Sequence, residues 1–485
     1  MKVLQGINSS CIDLIYLDPP FNKNDTFVGS GKRIKEIKNY FLHLQKIGEF
    51  LDEDFDQIFQ EENPASFKDI WKKSHVNAEA YTEIADRKPE LIPYLEAVRQ
   101  STPSGGYYYL IFMVIRLLEM HRTLKDTGSI YLHCDPTMSH YLKGLLDIIF
   151  GKENFKNEIV WKRHGVGGSS KSIGKVHDII FYYVKTPQAK YNPVSIPLTE
   201  KQKAVFRMSD TKGIFKTDHL EAQPAMQGGG SHYTYKGYTP ELGWLISQEK
   251  LKKMDEEGYV HWTKLGKPRR KYYLHEKEGI HINDLWTDFM GIPPMSKERL
   301  GYPTQKPLKL LERIIKSSSQ EGDWVLDPFC GCATTCLAAE SLNRQWIGID
   351  RGKQTYYMLY YRLRNTYPPR QEEKTPPTIH LERKPPIRTD LREDEIKELV
   401  QRKQAKENIS KIRKKLKHKL SPKDKENAKS SLYEAQAGKC RDCDTYLHPK
   451  ELTLDHIHPQ AKEGIDDLEN LQLLCYRCHN LKRLS

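Results

Sequence analysis

Two stretches of this chain gather residue types that can do chemistry together. The first opens with Asp18-Pro19-Pro20-Phe21, directly after the apolar run Ile12–Leu17. The amino group of a nucleobase is a poor nucleophile because its lone pair is delocalised into the ring. The Asp18 carboxylate and the Pro19 carbonyl can accept its two hydrogens and push the nitrogen towards tetrahedral geometry, so that attack on a sulfonium methyl becomes feasible. Pro19 and Pro20 fix the backbone that presents these acceptors, and the Phe21 ring can stack on a planar base. A matching unit lies far down the chain. Trp324–Asp327 reads as a strand, Pro328–Ala333 as a turn containing Gly331, and Thr334 as a helix start, while Asp350 follows Asp327 by 23 residues. That spacing is close to the one at which an acidic residue meets a ribose in nucleotide-binding units.

The second stretch is the C-terminal region. Cys440-Arg441-Asp442-Cys443 and Cys475-Tyr476-Arg477-Cys478 form two C-x-x-C pairs some 30 residues apart. Four thiolates so arranged make a closed tetrahedral zinc site. A unit of this size assembles little core, so metal binding would supply much of its folding energy. Between the pairs lie Leu454-Asp455-His456-Ile457-His458-Pro459 and Asn470, and His479 follows the last cysteine.

The elements that must position these groups can be read from hydrophobic patterning. Ile12–Leu17, Ser129–His133, Glu158–Lys162, Asp178–Val184, Trp324–Asp327 and Gln345–Asp350 read as strands. Tyr108–Leu124 (ended by Thr127-Gly128), Ser139–Phe150, Leu308–Ser318 and Thr334–Leu342 read as helices. Strands alternating with helices imply crossover connections and a mostly parallel sheet. Residues 22–105 show only weak helical patterns. Between about 186 and 300 the pattern degrades into a glycine-, aromatic- and basic-rich region holding Lys267, Arg269, Arg270 and Lys271, which reads as an inserted recognition region. Three proline pairs in 366–389 mark an extended linker, and Arg392–Leu420 is charged, helix-prone and basic from Lys411 to Lys419.

The chain has 485 residues with 77 Lys+Arg, 64 Asp+Glu and 38% hydrophobic residues, which excludes a wholly disordered chain and favours two or three domains. The net charge of +13 is concentrated after residue 360, which suggests a polyanionic partner. Nine cysteines, four of them in the paired motif, fit a reducing compartment rather than a disulfide framework. The N-terminus lacks a sustained apolar stretch and no run approaches membrane-spanning length, so no signal peptide and no membrane partner are expected, and a cytoplasmic location is.

Three further segments complete a family pattern: Gly128-Ser129-Ile130-Tyr131-Leu132-His133-Cys134-Asp135-Pro136, Asn157-Glu158-Ile159-Val160-Trp161-Lys162 and Tyr302-Pro303-Thr304-Gln305-Lys306-Pro307. With the two motifs above they make residues 1–365 resemble the β-type amino-directed DNA methyltransferases. The resemblance implies a Rossmann-like α/β fold with a mostly parallel seven-stranded sheet and a target-recognition region near 186–300. It implies Asp18, Pro19, Pro20 and Phe21 as catalytic residues. Asp327, Phe329, Gly331 and Thr334 would cradle S-adenosylmethionine, Asp350 would take its ribose hydroxyls, and Thr304 and Lys306 would lie near its methionine end. Ala333 stands where the family usually has a second glycine, which bears on how closely the backbone approaches the cofactor. The partner would be double-stranded DNA, whose target base must be flipped out, and a homodimer stays open. Asp at the first catalytic position is commoner among adenine-N6 enzymes and Ser among cytosine-N4 enzymes, so adenine is favoured.

Residues 433–484 resemble the HNH nucleases, a small ββα-metal fold. The resemblance implies His456 as general base, Asn470 orienting it, and Asp455 with His479 holding a catalytic divalent cation, Mg²⁺ by expectation, beside the structural Zn²⁺ of Cys440, Cys443, Cys475 and Cys478. The expected organisation is a methyltransferase domain over 1–365, a proline-rich and basic helical linker over 366–430 and an HNH endonuclease domain over 431–485. Such a fusion suggests a restriction-modification role. The alternative is a cytosine-N4 enzyme whose zinc domain only binds DNA.

Overall fold

The computed structural model describes residues 1–21, 25–27, 32–47, 67–69, 71, 78–101, 104–165, 168–169, 172–223, 230–352, 354–365, 380, 385–395, 397, 422–457, 471–475 and 478. They fall into two compact units, residues 1–388 and 389–485. Most of the proline-rich stretch and of the Arg392–Leu420 segment lies outside the described residues.

The first unit is built on seven strands: β1 (Ile12–Leu17), β2 (Leu124–Cys134), β3 (Phe155–Lys162), β4 (His177–Val184), β5 (Leu285–Trp286), β6 (Trp324–Asp327) and β7 (Gln345–Gly348). Their order is β5-β3-β4-β2-β1-β6-β7. β1 runs parallel to both its neighbours, β6 to β7 and β5 to β3, while β4 is antiparallel to β2 and β3. The sheet is thus mostly parallel. All six residues of β1 are buried because the sheet is covered on both faces, which is why the strand reads as an apolar run interrupted only by Asp13. Ile15 and Leu17 face one core with Leu110, Val114 and Leu117 of helix α1 (Ser104–Thr123) and Leu142, Leu146 and Ile149 of α2 (Ser139–Phe150). Leu14 and Tyr16 face the other, with Leu310, Leu311 and Ile314 of α3 (Leu308–Ser318) and Ala338 of α4 (Thr334–Ser341).

Thr127-Gly128, expected to break the chain between helix and strand, lie within β2, which begins at Leu124. A register shift against β1 between Ile12 and Leu14 accommodates the extra residues there. Residues 32–46, 78–87 and 91–101 are helices, although their sequence patterns are weak. They are amphipathic supports, burying Ile37, Phe41, Ile84, Leu91 and Leu95. The irregular region 186–300 contains a four-stranded antiparallel sheet of Met208–Asp210, Gly213–His219, Pro268–Tyr273 and Val260–Trp262, with a core of its own around Trp244, Leu251 and Met254. Among the described residues no helix is long and apolar enough to cross a membrane.

The second unit packs helix α6 (Pro422–Ala435) on an antiparallel pair, β8 (Leu452–His456) and β9 (Leu471–Cys475). Its apolar content is small: Ala428, Leu452, Leu471, Leu473 and Leu474 are buried.

Candidate active site

Adjacent parallel strands bring both sequence motifs of the first unit to one edge, since Asp18 directly follows β1 and β6 ends in Asp327. Phe21 is held twice. Its backbone N–H donates to Asp69 Oδ2 at 2.9 Å, and Asp69 Oδ1 accepts from the Trp71 indole at 2.9 Å. Its ring stacks on His133, centroids 6.1 Å apart. His133 is itself fully buried, with Nδ1 2.9 Å from Tyr16 Oη and Nε2 3.2 Å from Asp178 Oδ2. Burial raises the Asp178 carboxyl, but the His133 hydrogen bond and the nearby Lys306 and Arg163 charges outweigh it and hold the group at about 2. A connected polar chain therefore underlies the Asp18–Phe21 loop in an otherwise apolar layer.

Asp18 has two unlike oxygens. Oδ2 accepts from Lys306 Nζ, whereas Oδ1 is buried and has no hydrogen-bond partner among the described residues. Lys306 also donates to the Thr304 carbonyl at 3.2 Å, and its ammonium lies 5.4 Å from the Phe21 ring centroid. Thr304 adopts φ +62°, a left-handed conformation uncommon for a β-branched residue. The segment is buttressed from behind. Gln305 accepts from Leu300 N–H and donates to the Glu298 carbonyl, and Glu298 Oε1 takes the Leu308 N–H at the start of α3.

The glycine turn is fastened at each residue. Asp327 accepts from Phe329 N–H at 3.0 Å and from the Thr335 hydroxyl at 2.5 Å. Burial, which outweighs these bonds, pushes its carboxyl up to about 7, with Asp18 and Asp350 adding to the rise. Gly331 (φ +52°) donates to Asp350 Oδ2 at 2.8 Å and its carbonyl accepts from Thr355 Oγ1. Asp350 lies two residues beyond β7, exposed at its surface yet crowded enough that desolvation raises its carboxyl. Thr334 Oγ1 and the Cys332 carbonyl both accept from Arg362 Nη1 at 2.9 Å; this buried arginine belongs to helix α5 (Gln354–Asn365). The turn thus resembles a nucleotide-binding turn: a crowded glycine before a helix start, and an acid just beyond the next strand.

In the second unit, the sulfur atoms of Cys440, Cys443, Cys475 and Cys478 all lie within 4.8 Å of one another, and Cys443 and Cys475 are 3.7 Å apart. Metal–sulfur bonds of ~2.3 Å in a tetrahedron give edges of about 3.8 Å, so the four thiols fit one zinc ion. Backbone N–H groups of Cys475 and Cys478 donate to Cys440 Sγ and Cys475 Sγ. Asp455 and His456 lie on β8; Asp455 Oδ2 accepts from Gln472 at 3.3 Å. Asn470 and His479 lie outside the described residues, as does the His456 side chain.

Asp69, His133, Asp178 and Arg362 were not singled out from sequence. His133 carried a signal, a polar residue at the end of an apolar run; Asp69, 48 residues from Phe21, carried none.

A mostly parallel α/β sheet with an acid-bearing loop and a nucleotide turn on adjacent strand ends defines a Rossmann-like methyltransferase fold. The chain belongs to the DNA methylase family, whose profile matches residues 12–360, and carries a domain matching the HNH endonuclease profile over 440–483. It is 39% identical over 246 residues to the Type II methyltransferase M.EcaI of Enterobacter cloacae, covering 50% of this chain and 54% of that protein. It is 27% identical over 377 residues to the Mod subunit of the Type III restriction-modification enzyme StyLTI of Salmonella typhimurium, covering 74% of this chain and 50% of that one. The chain thus spans about half the length of these relatives. Among solved structures, the cytosine-N4-specific PvuII DNA methyltransferase aligns with a TM-score of 0.31 and 12% identity, over 75% of this chain and 84% of that one.

Proposed function

We propose that the first unit methylates an exocyclic amino group of a flipped base in double-stranded DNA at a specific site, adenine N6 by preference. The observation that carries this reading is the buried, unpartnered Asp18 Oδ1 at the end of β1, beside the β6 turn. S-adenosylmethionine would be held by Asp327, Phe329, Gly331, Thr334 and Asp350, and supplies a sulfonium-bound methyl. Asp18 Oδ1 and the Pro19 carbonyl accept the two amino hydrogens of the base, turning the nitrogen lone pair out of conjugation. As the new N–C bond forms and the C–S bond breaks, the surplus proton leaves through the carboxylate. Phe21, braced on His133, supplies an aromatic surface for the base. Site recognition falls to the 186–300 region, where Arg269, Arg270 and Lys271 line one strand.

The second unit is read as an HNH nuclease module. Its four cysteines would hold a structural Zn²⁺; Asp455 and His479 would hold a divalent cation, Mg²⁺ by expectation, that supplies Lewis-acid stabilisation of phosphate charge, with His456 as general base and Asn470 orienting it. Together the two units fit a restriction-modification enzyme.

Tritiated S-adenosylmethionine offered with unmethylated plasmid, RNA and peptides tests the first unit: label is expected in DNA alone, and in N6-methyladenine after digestion to nucleosides. Label in N4-methylcytosine would reassign the base; label in RNA or peptide would overturn the reading. For the second unit, plasmid nicking with Mg²⁺ is expected from wild type and lost in His456→Ala, and equal nicking by both would refute the nuclease assignment.

A further inference from the structure

We propose, resting on the methyl-transfer reading above, that Lys306 is a positioning residue for Asp18. It pins the carboxylate by Oδ2 so that Oδ1 alone is presented to the substrate amino group. The two oxygens of Asp18 are chemically alike, yet the fold treats them differently. Lys306 Nζ occupies Oδ2, while Oδ1 is buried without a partner. A carboxylate gripped at one oxygen cannot rotate freely about its Cβ–Cγ bond, so the other oxygen keeps a fixed direction before substrate arrives.

Lys306 is suited to the task because its own head group is immobilised. Its side chain is only 8% exposed. Two of its three donors are taken, by Asp18 and by the Thr304 carbonyl, and the Phe21 ring lies 5.4 Å from the ammonium. The Thr304 carbonyl is in turn aimed by a left-handed residue in a segment tied down through Gln305 and Glu298. Sequence position suggested that Lys306 serves the cofactor's methionine end. With two donors committed to Asp18 and Thr304, only its third N–H is left for that role.

The test uses the full-length protein, unmethylated plasmid and tritiated S-adenosylmethionine, with cofactor affinity measured separately by equilibrium dialysis and folding by thermal melting. Lys306→Met and Lys306→Gln are expected to lower kcat about 10²-fold while the cofactor Kd stays within about twofold of wild type. Because Lys306 acts through Asp18, adding Lys306→Met to Asp18→Asn should cost little beyond Asp18→Asn alone, a non-additivity that general loosening of the fold does not produce. Wild-type kcat in both neutral variants would overturn the proposal. So would a Kd weakened tenfold at unchanged kcat, or fully additive losses in the double variant. If wild type labels no DNA, the methyl-transfer reading falls and this inference with it; if wild type labels DNA and the variants match it, only the inference falls.

Discussion

Two aspartates sit at opposite ends of β1, and the fold finishes one and leaves the other open. At the amino end, Asp13 is 2% exposed and fully engaged: it accepts from Lys125 at 2.7 Å and from the Trp324 backbone N–H at 3.0 Å, and Lys190 bridges it to Asp323. Two carboxylates there meet two ammonium groups. At the carboxyl end, Asp18, Asp327 and Asp350 gather around the motifs, Asp18 shares one oxygen with Lys306, and burial, with smaller contributions from Asp18 and Asp350, pushes Asp327 up to about 7. The same residue type therefore stitches strands together at one edge. At the other it forms an anionic, incompletely satisfied surface suited to a sulfonium cation and to amino-group donors.

Substituting Asn at each end separates the two roles most sharply. Asp18→Asn should cut methyl transfer by about 10³-fold, since the amide offers a weaker acceptor, with little change in melting temperature because its oxygen can still meet Lys306. Asp13→Asn should do the reverse, keeping transfer within a few-fold while destabilising the fold by about 2–4 kcal/mol, as a buried acceptor between two lysines and a backbone N–H becomes a partial donor. Urea denaturation and tritium transfer on both variants decide it. Equal losses of activity at the two ends would erase the distinction.

The open edge should also leave a signature in stability against pH. Asp327 is pushed up from 3.8 to about 7 in the fold, chiefly by burial. Between those values the folded chain binds a proton that the unfolded chain has released. Its contribution to stability is thus fully present below the unfolded value and is lost as pH rises through about 7. Asp350, raised in the same direction, adds to this trend. In melting curves from pH 4 to 8, Asp327→Asn should gain on wild type as pH rises and level off above the folded value. A difference that stays flat across this range would mean that Asp327 ionises normally.

The sequence disclosed the two edges unequally. β1, β6, α2 and α3 have the bounds that their apolar runs and helical periodicity predict, because burial on both faces or along one stripe writes itself into local pattern. Asp18 and Asp327 stood out through neighbours that are rare together, Pro-Pro-Phe in one case and a glycine turn in the other. Asp13 did not stand out, for its partners come from residues 125, 190 and 324, brought together only by the sheet. Asp69 and Arg362, which tie down the catalytic loop and the cofactor turn, were invisible for the same reason. So was the four-stranded sheet within 186–300, whose strands are short and carry polar or basic residues, Pro-Arg-Arg-Lys-Tyr-Tyr in one of them, without a sustained apolar alternation.

The smallest effects lie within the cofactor turn, where two residues share a left-handed conformation and differ in side chain: Gly331 at φ +52° and Ala333 at φ +58°. A Cβ on Gly331 would meet the Tyr302 ring at 3.0 Å, so Gly331→Ala adds a steric conflict to backbone strain. It should cost about 1–3 kcal/mol and weaken cofactor binding measured by dialysis. Ala333 differs because its methyl is fully buried among Cys330, Cys336, Leu337, Leu359 and Leu363. Left-handed strain of roughly 1–2 kcal/mol is offset there by burial of a carbon group worth about 0.8 kcal/mol and by the lower chain entropy of alanine when unfolded. Ala333→Gly should therefore shift unfolding free energy by less than about 1 kcal/mol and leave cofactor affinity within about twofold. The methyl that replaces the family's second glycine points into the core beneath α4, so its presence is compatible with close approach of the turn's backbone to the cofactor. A large gain in affinity on Ala333→Gly would show instead that this methyl holds the cofactor away.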